Sequence, residues 1–474
     1  MIERIEKIPV TPESHPFAHA APRCHFDEIG YAEDEFFLFG TSNIYTEDQD
    51  SRISILYPDA PYVNRMLVRR PARKEDFSGN VVVEILNPSA LYDIDRMWVE
   101  AWRYFTAHGD IYIGITSKGD VLDTLYRIDP ERYKRISWKN PLPNRPMPEK
   151  IGFPIFQEYD SGLFWDMLTD LSAALRENDS PINPIAGYGK PYVYLTGWSQ
   201  CGSMMVRYRE SFADTASQKL GMPVYDGYLQ AGSGSARAPI NSFQSAEDFW
   251  STRENFLGMI VSTEPYIVLN TETETPYTRW KGNNNDPRAL FRTYDIAGSS
   301  HDSKYNLLDY YETDDDPARV GRAQPYPGLE KYPQDYPYEF VYSAAFRNLF
   351  VWVREGVPAP ASRQIERYLD GRSKKDAFGN TRGGVRTPFI DLPTCRYSKY
   401  STLKDDPTKQ SDFWGHVDPF SPSLLKELYS SLKFYKEQVA ECTDEIIAQG
   451  YLLASQRADI IRTAVDFARD RGLR

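Results

Sequence analysis

The chain has 474 residues, which at about 150 residues per domain corresponds to three domains, although decorated α/β folds often form one longer unit. Apolar residues make up 41% and charged residues 26% of the sequence, and this ordinary globular composition excludes a wholly disordered chain. The chain has 55 basic and 67 acidic residues, and the resulting net charge of −12 disfavours a nucleic-acid partner. No apolar run approaches the roughly 18 residues of a membrane helix, so we expect no membrane partner.

The cysteines and the first residues indicate the cellular setting. The four cysteines lack CxxC spacing, which argues against a structural zinc site and a disulfide framework; they are Cys24, Cys201, Cys395 and Cys442. The opening MIERIEKIPVTPESHPF contains no apolar core of a secretory signal. We therefore expect a soluble cytoplasmic protein without a metal or organic cofactor, and the sequence leaves its oligomeric state open.

The first part of the chain is predicted to form strands and then a βαβ unit. Short β-like runs occupy residues 35–46, 51–57 and 62–69. The nearly continuous apolar run VVVEILNP (81–88) is typical of a buried strand, as is IYIGITS (111–117). The residues between these runs carry apolar side chains at helical spacing over 93–108. The order strand, helix, strand predicts a right-handed crossover between parallel strands.

Residues 118–156 interrupt this rhythm, because they are rich in proline, arginine and aromatic residues and fit poorly as a crossover. We interpret them as a lid-like insertion. The alternation then resumes, with helices predicted at 161–177 and 200–212 and strands at 192–197, 225–230, 265–270 and 292–297. Parallel strands alternating with helices predict an α/β fold with a doubly wound, mostly parallel sheet.

The character of the sequence changes after residue 304. A polar, Pro- and Tyr-rich stretch predicts a long loop, followed by a helix at 341–355, turns and a short extended piece at 379–394 and two tail helices separated near Gly450. The predicted organisation is a core of residues 1–304, with the insertion at about 118–156, and a loop-rich and helical extension of residues 305–474 packed on that core. Parts of 233–262 and 305–340 are expected to complete a cap.

The most informative stretch is YVYLTGWSQCGSMMVRY, in which a strand runs through Gly197-Trp198-Ser199-Gln200 into a helix. A strand, a sharp turn and a helix form the context of a nucleophile elbow, where the serine hydroxyl is exposed at the strand end. The second small residue of the usual GxSxG pattern falls on Cys201 here. The alternative interpretation is an ordinary strand–helix turn with an N-cap serine.

A base and an acid must follow the serine in chain order in this architecture. Of the six histidines, only His301 and His416 follow Ser199. His301 lies in a small-residue loop, AGSSH, directly after a predicted strand, where a base can reach the sheet edge. His416, in FWGHVDP, is the weaker candidate and is interpreted as structural.

The acid is expected in the loop after the strand PYIVLN, where the sequence continues TETET. Glu272 and Glu274 are both eligible to accept the Nδ1–H of His301. We prefer Glu274, because four residues beyond the strand leave enough chain to turn inward. Asp302 and Asp295 are further alternatives.

An oxyanion hole requires two backbone N–H donors. The first is assigned to Gln200, directly after the nucleophile, and the second to the loop Asn87-Pro88-Ser89-Ala90. Proline has no N–H, so Ser89 or Ala90 must donate, and we choose Ser89. A plain βα turn is the alternative for this loop. Trp198 is a candidate substrate-binding residue, with core packing as its alternative.

On these residues the sequence resembles the α/β-hydrolase superfamily, and more narrowly the large "alpha/beta hydrolase domain" proteins of bacteria and fungi. The likeness rests on VVEILNP, GWSQCGS, LNTETET, AGSSH and the late run of residues 352–393. It implies an α/β-hydrolase fold and a carboxylic ester hydrolase with a triad of Ser199, Glu274 (or Glu272) and His301.

The predicted function is therefore a serine esterase that cleaves a small-molecule ester through an acyl-enzyme intermediate. Two alternatives stay open. The same triad could serve an acyltransferase or an amidase, or the chain could be a non-catalytic binding protein that has kept the fold.

Overall fold

The computed structural model describes residues 1–148, 156–244, 258–276, 278–312, 316–321, 328–411 and 413–474. The chain forms two compact units. The first comprises Met1–Pro265 with Thr313–Ala323, and the second comprises Tyr266–Glu312 with Gln324–Arg474. Residues 149–155 of the predicted insertion, and 245–257 and 322–327 of the predicted cap, lie outside the described residues. The predicted boundary at residue 304 stays a prediction.

The described residues of the first unit form seven strands in the order β1-β2-β3-β5-β4-β6-β7. The strands β4, β5, β6 and β7 pair in parallel, and β1, β2 and β3 pair antiparallel. Every residue of β4 and β5 is buried, as expected for parallel strands covered on both faces. The strands are β1 Ile2–Ile8, β2 Tyr31–Glu47, β3 Ile53–Pro71, β4 Asn80–Ile85, β5 Ile111–Ile115, β6 Tyr192–Trp198 and β7 Gly227–Ala231.

The prediction of two separate strands at 51–57 and 62–69 is wrong, because β3 runs through both. Its pairing with β2 shifts in register between Ser42 and Ile44, whose partners are Ala60 and Tyr57. Pro58 therefore has no ladder partner in β2. A bulge accommodates a residue that lacks an N–H, so the strand continues where turn residues predicted a break.

Helices follow the strands of the first unit as the apolar spacing predicts. The helix after β4 begins at Arg96 and ends before Gly109, whose φ of 77° closes it. The helix after β6 continues through a π-helical turn, Arg209–Ala213, into a further helix, so it is longer than predicted. The helices are α1 Phe26–Ile29, α2 Arg96–His108, α3 Leu122–Ile128, α4 Pro130–Tyr133, α5 Phe164–Leu175, α6 Gln200–Tyr208, α7 Asp214–Leu220 and α8 Asp316–Arg319.

The second unit carries three strands in the order β8-β10-β9, with β8 (Tyr266–Thr271) and β10 (Phe291–Ile296) parallel and the short β9 (Asn283–Asn284) antiparallel at the edge. Its two small antiparallel sheets pair β11 (Cys395–Ser398) with β14 (His416–Pro419) and β12 (Ser401–Thr402) with β13 (Gln410–Ser411). The late segment that the sequence predicts as turns and a short extended piece adds a parallel bridge from Val385 to Ile296. The late run (residues 352–393) therefore contacts the last residue of β10 through a backbone bridge.

The helices of the second unit are α9 Glu339–Glu355, α10 Pro388–Asp391, α11 Pro422–Tyr429, α12 Leu432–Ala448 and α13 Arg457–Asp470. The prediction of two tail helices is wrong, because there are three. Ser430, with φ 59°, ends α11, and the Ser431 hydroxyl accepts the Phe434 N–H to start α12. None of the helices in the described ranges has the length and hydropathy to cross a membrane.

Candidate active site

Ser199 occupies the turn between β6 and α6, and its backbone has a positive φ, with φ 55° and ψ −119°. A positive φ is strained for a residue with a Cβ, and such strain persists only where the surrounding structure holds it. The Ser199 N–H donates to the Ala231 carbonyl at 2.9 Å, and its carbonyl accepts the Gly202 N–H at 2.9 Å. Ser199 is partly exposed although Trp198 and Gln200 are buried. The turn thus presents one hydroxyl at the positive end of a helix.

Small residues make this turn possible. A Cβ on Gly197 would lie 3.0 Å from the Cys201 carbonyl, and a Cβ on Gly202 would lie 2.4 Å from the Ser233 Cβ. Cys201 itself is fully buried, with its thiol donating to the Leu86 carbonyl at 3.4 Å. Burial raises the pKa of the Cys201 thiol, so this side chain is a packing group beside the serine rather than a thiolate nucleophile.

Asn87 connects the loop after β4 to the elbow. Its Nδ2 donates to the Trp198 carbonyl at 2.9 Å, and its Oδ1 accepts the Ser89 N–H at 2.8 Å. The Ser89 hydroxyl donates to Gln200 Oε1 at 3.4 Å. Because Ser89 already uses its N–H within the loop, an oxyanion role for that group requires this bond to open. Gln200 begins α6, and a first-turn N–H has no acceptor within its helix.

Trp198, the candidate substrate-binding residue, is only 2% exposed. Its ring packs on the backbone of Gly232, where a Cβ would lie 2.7 Å from the ring. The Arg96 guanidinium lies 5.6 Å from the ring centroid. These contacts place the indole in the interior of the first unit, and its role toward a substrate stays a prediction.

The second unit brings Glu274 and His301 together. Glu274 Oε1 lies 2.6 Å from His301 Nδ1, and Oε2 accepts both the N–H and the hydroxyl of Thr271 at 2.7 Å. The His301 N–H donates to the Thr273 hydroxyl at 3.1 Å. These hydrogen bonds hold both carboxylate oxygens of Glu274 and the backbones of the loops that carry Glu274 and His301. Because the carboxylate faces Nδ1, Nε2 is the ring nitrogen left to exchange protons.

Glu272 points to different partners. Its carboxylate accepts the Gly298 N–H at 3.0 Å, the Thr381 hydroxyl at 2.5 Å and the Lys375 ammonium at 3.1 Å. Burial raises the pKa of Glu272, but the Lys375 charge and the Thr381 hydrogen bond outweigh it and the net shift is downward. Glu272 is thus a buried anion that joins its own loop, the loop before His301 and the late segment.

Other candidates have structural partners. His416 lies on β14, where Nδ1 pairs with the Tyr400 carbonyl at 2.7 Å. Asp295 lies within β10 and accepts the Ile365 N–H at 3.0 Å, and burial raises its pKa to about 7.

The ring of Phe413, which is 52% exposed, lies 5.2 Å from the His301 ring. No sequence signal indicated Phe413, and the sequence indicated Asn87 only as a member of the loop after β4, because the groups that these two residues contact are distant along the chain.

Residues 4–462 match a protein family described as alpha/beta hydrolase domain. The chain belongs to this family. Its membership confirms the predicted resemblance and, with the parallel strand pairs, the predicted fold class. No curated protein matches the chain.

Solved structures similar to this alpha/beta hydrolase domain protein include three esterases. A fungal esterase from Rhizomucor miehei shows 9% identity over 66% of this chain and 97% of that chain, with a TM-score of 0.29. A thermostable esterase from Pseudomonas putida ECU1011 shows 12% identity over 67% and 90%, with a TM-score of 0.31. An esterase from Pyrobaculum calidifontis shows 9% identity over 64% and 87%, with a TM-score of 0.29.

Proposed function

We propose that the protein is a serine hydrolase that cleaves carboxylic esters, with Ser199 as nucleophile, His301 as general base and Glu274 as the carboxylate that orients His301. The observation that carries the proposal is the strained backbone of Ser199 between a buried parallel strand and a helix N-terminus. An N-cap serine of an ordinary helix adopts the β region, whereas Ser199 has φ 55° and makes no side-chain cap hydrogen bond.

The contact between Glu274 and His301 supports the proposal independently. A histidine whose Nδ1 faces a carboxylate is held in one tautomer, and the carboxylate stabilises the imidazolium that forms when Nε2 takes a proton. The separation of 2.6 Å suits a charge-assisted hydrogen bond. Glu272 is engaged by Lys375 and Thr381, so we assign the orienting role to Glu274.

The proposed reaction has two halves. In the first, His301 Nε2 takes the Ser199 proton as the hydroxyl oxygen attacks the ester carbonyl, and the tetrahedral intermediate expels the alcohol, which receives that proton. In the second, His301 takes a proton from water, the hydroxide attacks the acyl-enzyme, and Ser199 leaves with the proton. Each half develops an oxyanion, for which we propose the N–H groups of Gln200 and, once released from Asn87, of Ser89.

Labelling with a fluorophosphonate tests this proposal, since such probes phosphonylate an activated serine. We expect the wild type to be labelled and to hydrolyse short p-nitrophenyl esters, and Ser199→Ala to do neither. Ser203→Ala is the matched control, because it removes a hydroxyl from the same helix and should still be labelled. If several probes leave the wild type unlabelled and no ester is turned over, the chain is a binding protein instead.

A further inference from the structure

Lys118 follows β5 at the same sheet edge at which Ser199 follows β6. In the register of the first unit, Ile85 of β4 pairs with Ile115 on one side and with Gly197 on the other. Strands lie about 4.8 Å apart, so the ends of β5 and β6 are about 10 Å apart. The chain that leads from Ile115 to Lys118 thus leaves the sheet two strand spacings away from the turn that begins two residues after Gly197.

Side-chain contacts join these two strand ends. The Ser117 hydroxyl donates to the Leu86 carbonyl at 2.7 Å, and the Cys201 thiol donates to the same carbonyl at 3.4 Å. Ser117 Oγ and Cys201 Sγ are 4.0 Å apart. The residue directly before Lys118 therefore touches the second residue after Ser199.

The Lys118 ammonium is removed from most solvent, and no residue in the described ranges accepts a hydrogen bond from it. Its side chain is 17% exposed, and its ion-pair partner in the described part of the chain is Asp120, at 3.9 Å and 15% exposed. That separation exceeds hydrogen-bonding distance. An ammonium has three N–H donors, and a desolvated charge is costly until acceptors satisfy it. An incoming oxygen anion would supply them.

The backbone at this position is held firmly. A Cβ on Gly119 would lie 2.5 Å from the Tyr159 Cβ and 3.2 Å from the Trp138 Cβ, and Trp138 is fully buried. This packing fixes where the Lys118 side chain begins. A lysine whose backbone is already held in place loses less freedom on binding a ligand than a lysine on a mobile loop does.

We propose that Lys118 binds a carboxylate carried by the acyl part of the substrate, so that half-esters of short dicarboxylic acids are preferred over neutral esters of equal length. This inference rests on the proposed esterase function. The carboxylate forms the hydrogen bonds that Asp120 does not provide, while Asp120 remains the ion-pair partner of the ammonium when no substrate is bound.

Two esters of equal chain length test the proposal, mono-p-nitrophenyl glutarate and p-nitrophenyl valerate. The readout is the ratio of their kcat/KM values. We expect Lys118→Met to lower the glutarate-to-valerate ratio about 10- to 100-fold, the range for a hydrogen bond to a charged group, and Lys118→Arg to retain most of it. Lys134→Met is the control, because Lys134 lies in the same insertion but is 60% exposed and pairs with Glu131. Its ratio should equal that of the wild type.

A binding measurement separates this proposal from the esterase proposal. Glutarate should raise the melting temperature of Ser199→Ala but not of the Ser199→Ala, Lys118→Met double variant. If the wild type hydrolyses both esters and Lys118→Met leaves their ratio unchanged, the inference is overturned and the esterase function stands. If no variant hydrolyses either ester, the esterase function fails, and the glutarate shift alone decides the role of Lys118: no shift overturns it.

Discussion

Glu274 Oε1 lies 2.6 Å from His301 Nδ1, and the other oxygen of the same carboxylate accepts two hydrogen bonds from Thr271. Glu272, two residues earlier, is bound by Lys375 and Thr381. The two glutamates of the TETET loop therefore face different partners, and their substitution should have different consequences.

We predict that Glu274→Gln lowers kcat by roughly 10²–10⁴-fold, as the loss of a triad acid does, because an amide cannot stabilise the imidazolium of His301. Glu272→Gln should mainly lower the melting temperature, since it leaves the Lys375 charge without its partner. Steady-state kinetics and thermal unfolding of both variants check this. A larger loss of kcat in Glu272→Gln than in Glu274→Gln would reverse our assignment.

The lowered pKa of Glu272 provides a second test of Glu272→Gln, by the pH dependence of its stability. A carboxyl whose pKa is lower in the folded protein than in the unfolded chain stabilises the fold above its unfolded pKa, and this stabilisation is lost as the pH falls through the folded value. The stability difference between wild type and Glu272→Gln should therefore shrink in acid. A difference that grows below pH 4 would contradict the charge pairing of Glu272.

Asn87 is a positioning residue in our interpretation, since its side chain holds both the Trp198 carbonyl and the Ser89 N–H. Asn87→Ala leaves the buried Trp198 carbonyl without that partner, at a cost of about 1–3 kcal/mol, and it releases the N–H of Ser89, which is an exposed residue. We also expect slower fluorophosphonate labelling of Ser199, because the elbow and the neighbouring loop lose their common tie. Labelling at the wild-type rate in a destabilised Asn87→Ala would restrict Asn87 to a structural role.

The sequence correctly predicts strands and helices whose residues show a clear local pattern of apolar and small side chains. The apolar runs of β4 and β6 and the small residues at Gly197 and Gly202 are sufficient to place Ser199 between a strand and a helix. Chain order then restricts the base to two histidines. These inferences need only neighbours along the chain and the rule that parallel strands end at one edge.

What the sequence could not predict depends on partners that are distant along the chain. Thr381 lies 109 residues from Glu272, and Asn87 lies 111 residues from Trp198, so no spacing rule connects either pair. The continuity of β3 through Pro58 likewise depends on a bulge in β3, where Pro58 and Asp59 lie against the single residue Asn43 of β2. In each case tertiary pairing overrides the local signal.

Glu84 gives a prediction at neutral pH. It is fully buried on β4 and accepts the N–H groups of Met97 and Trp98 at the start of α2. Burial, which outweighs these hydrogen bonds, raises the pKa of Glu84 from 4.5 to about 8. Between these pH values the folded protein keeps a proton that the unfolded chain releases, so its stability falls as the pH rises.

Glu84→Gln removes this titration. The melting temperature of the wild type relative to Glu84→Gln should therefore be greatest near pH 5 and decrease toward pH 8. Thermal unfolding of both proteins across this range provides the measurement, with Glu131→Gln, an 84% exposed carboxylate, as the control that should not show the trend. A difference independent of pH would mean that Glu84 is ionised in the folded protein throughout.

Arg65 offers the sharpest test of stability in the first unit. Its guanidinium donates to Glu35 at 2.6 Å, to Asp93 at 2.5 Å and to the Phe17 carbonyl at 2.9 Å, and all three charged side chains are fully buried. Asp93 belongs to the segment between β4 and α2, so Arg65 ties that segment to the β2–β3 hairpin. Removing Arg65 leaves the buried Asp93 carboxylate without its ion-pair partner, whereas Glu35 keeps Arg132. Breaking a buried ion pair in this way typically costs about 3–5 kcal/mol.

We therefore predict that Arg65→Met lowers the free energy of unfolding by about 3–5 kcal/mol, measured by urea denaturation. The matched control is Arg73→Met, because Arg73 pairs with Glu75 on the surface, where both side chains are more than 60% exposed, and exposed pairs contribute about 0–1 kcal/mol. Equal losses in the two variants would show that the buried cluster adds no more than a surface ion pair. A loss of unfolding free energy in Arg65→Met alone would establish that the segment between β4 and α2 is stabilised by the buried Arg65 guanidinium.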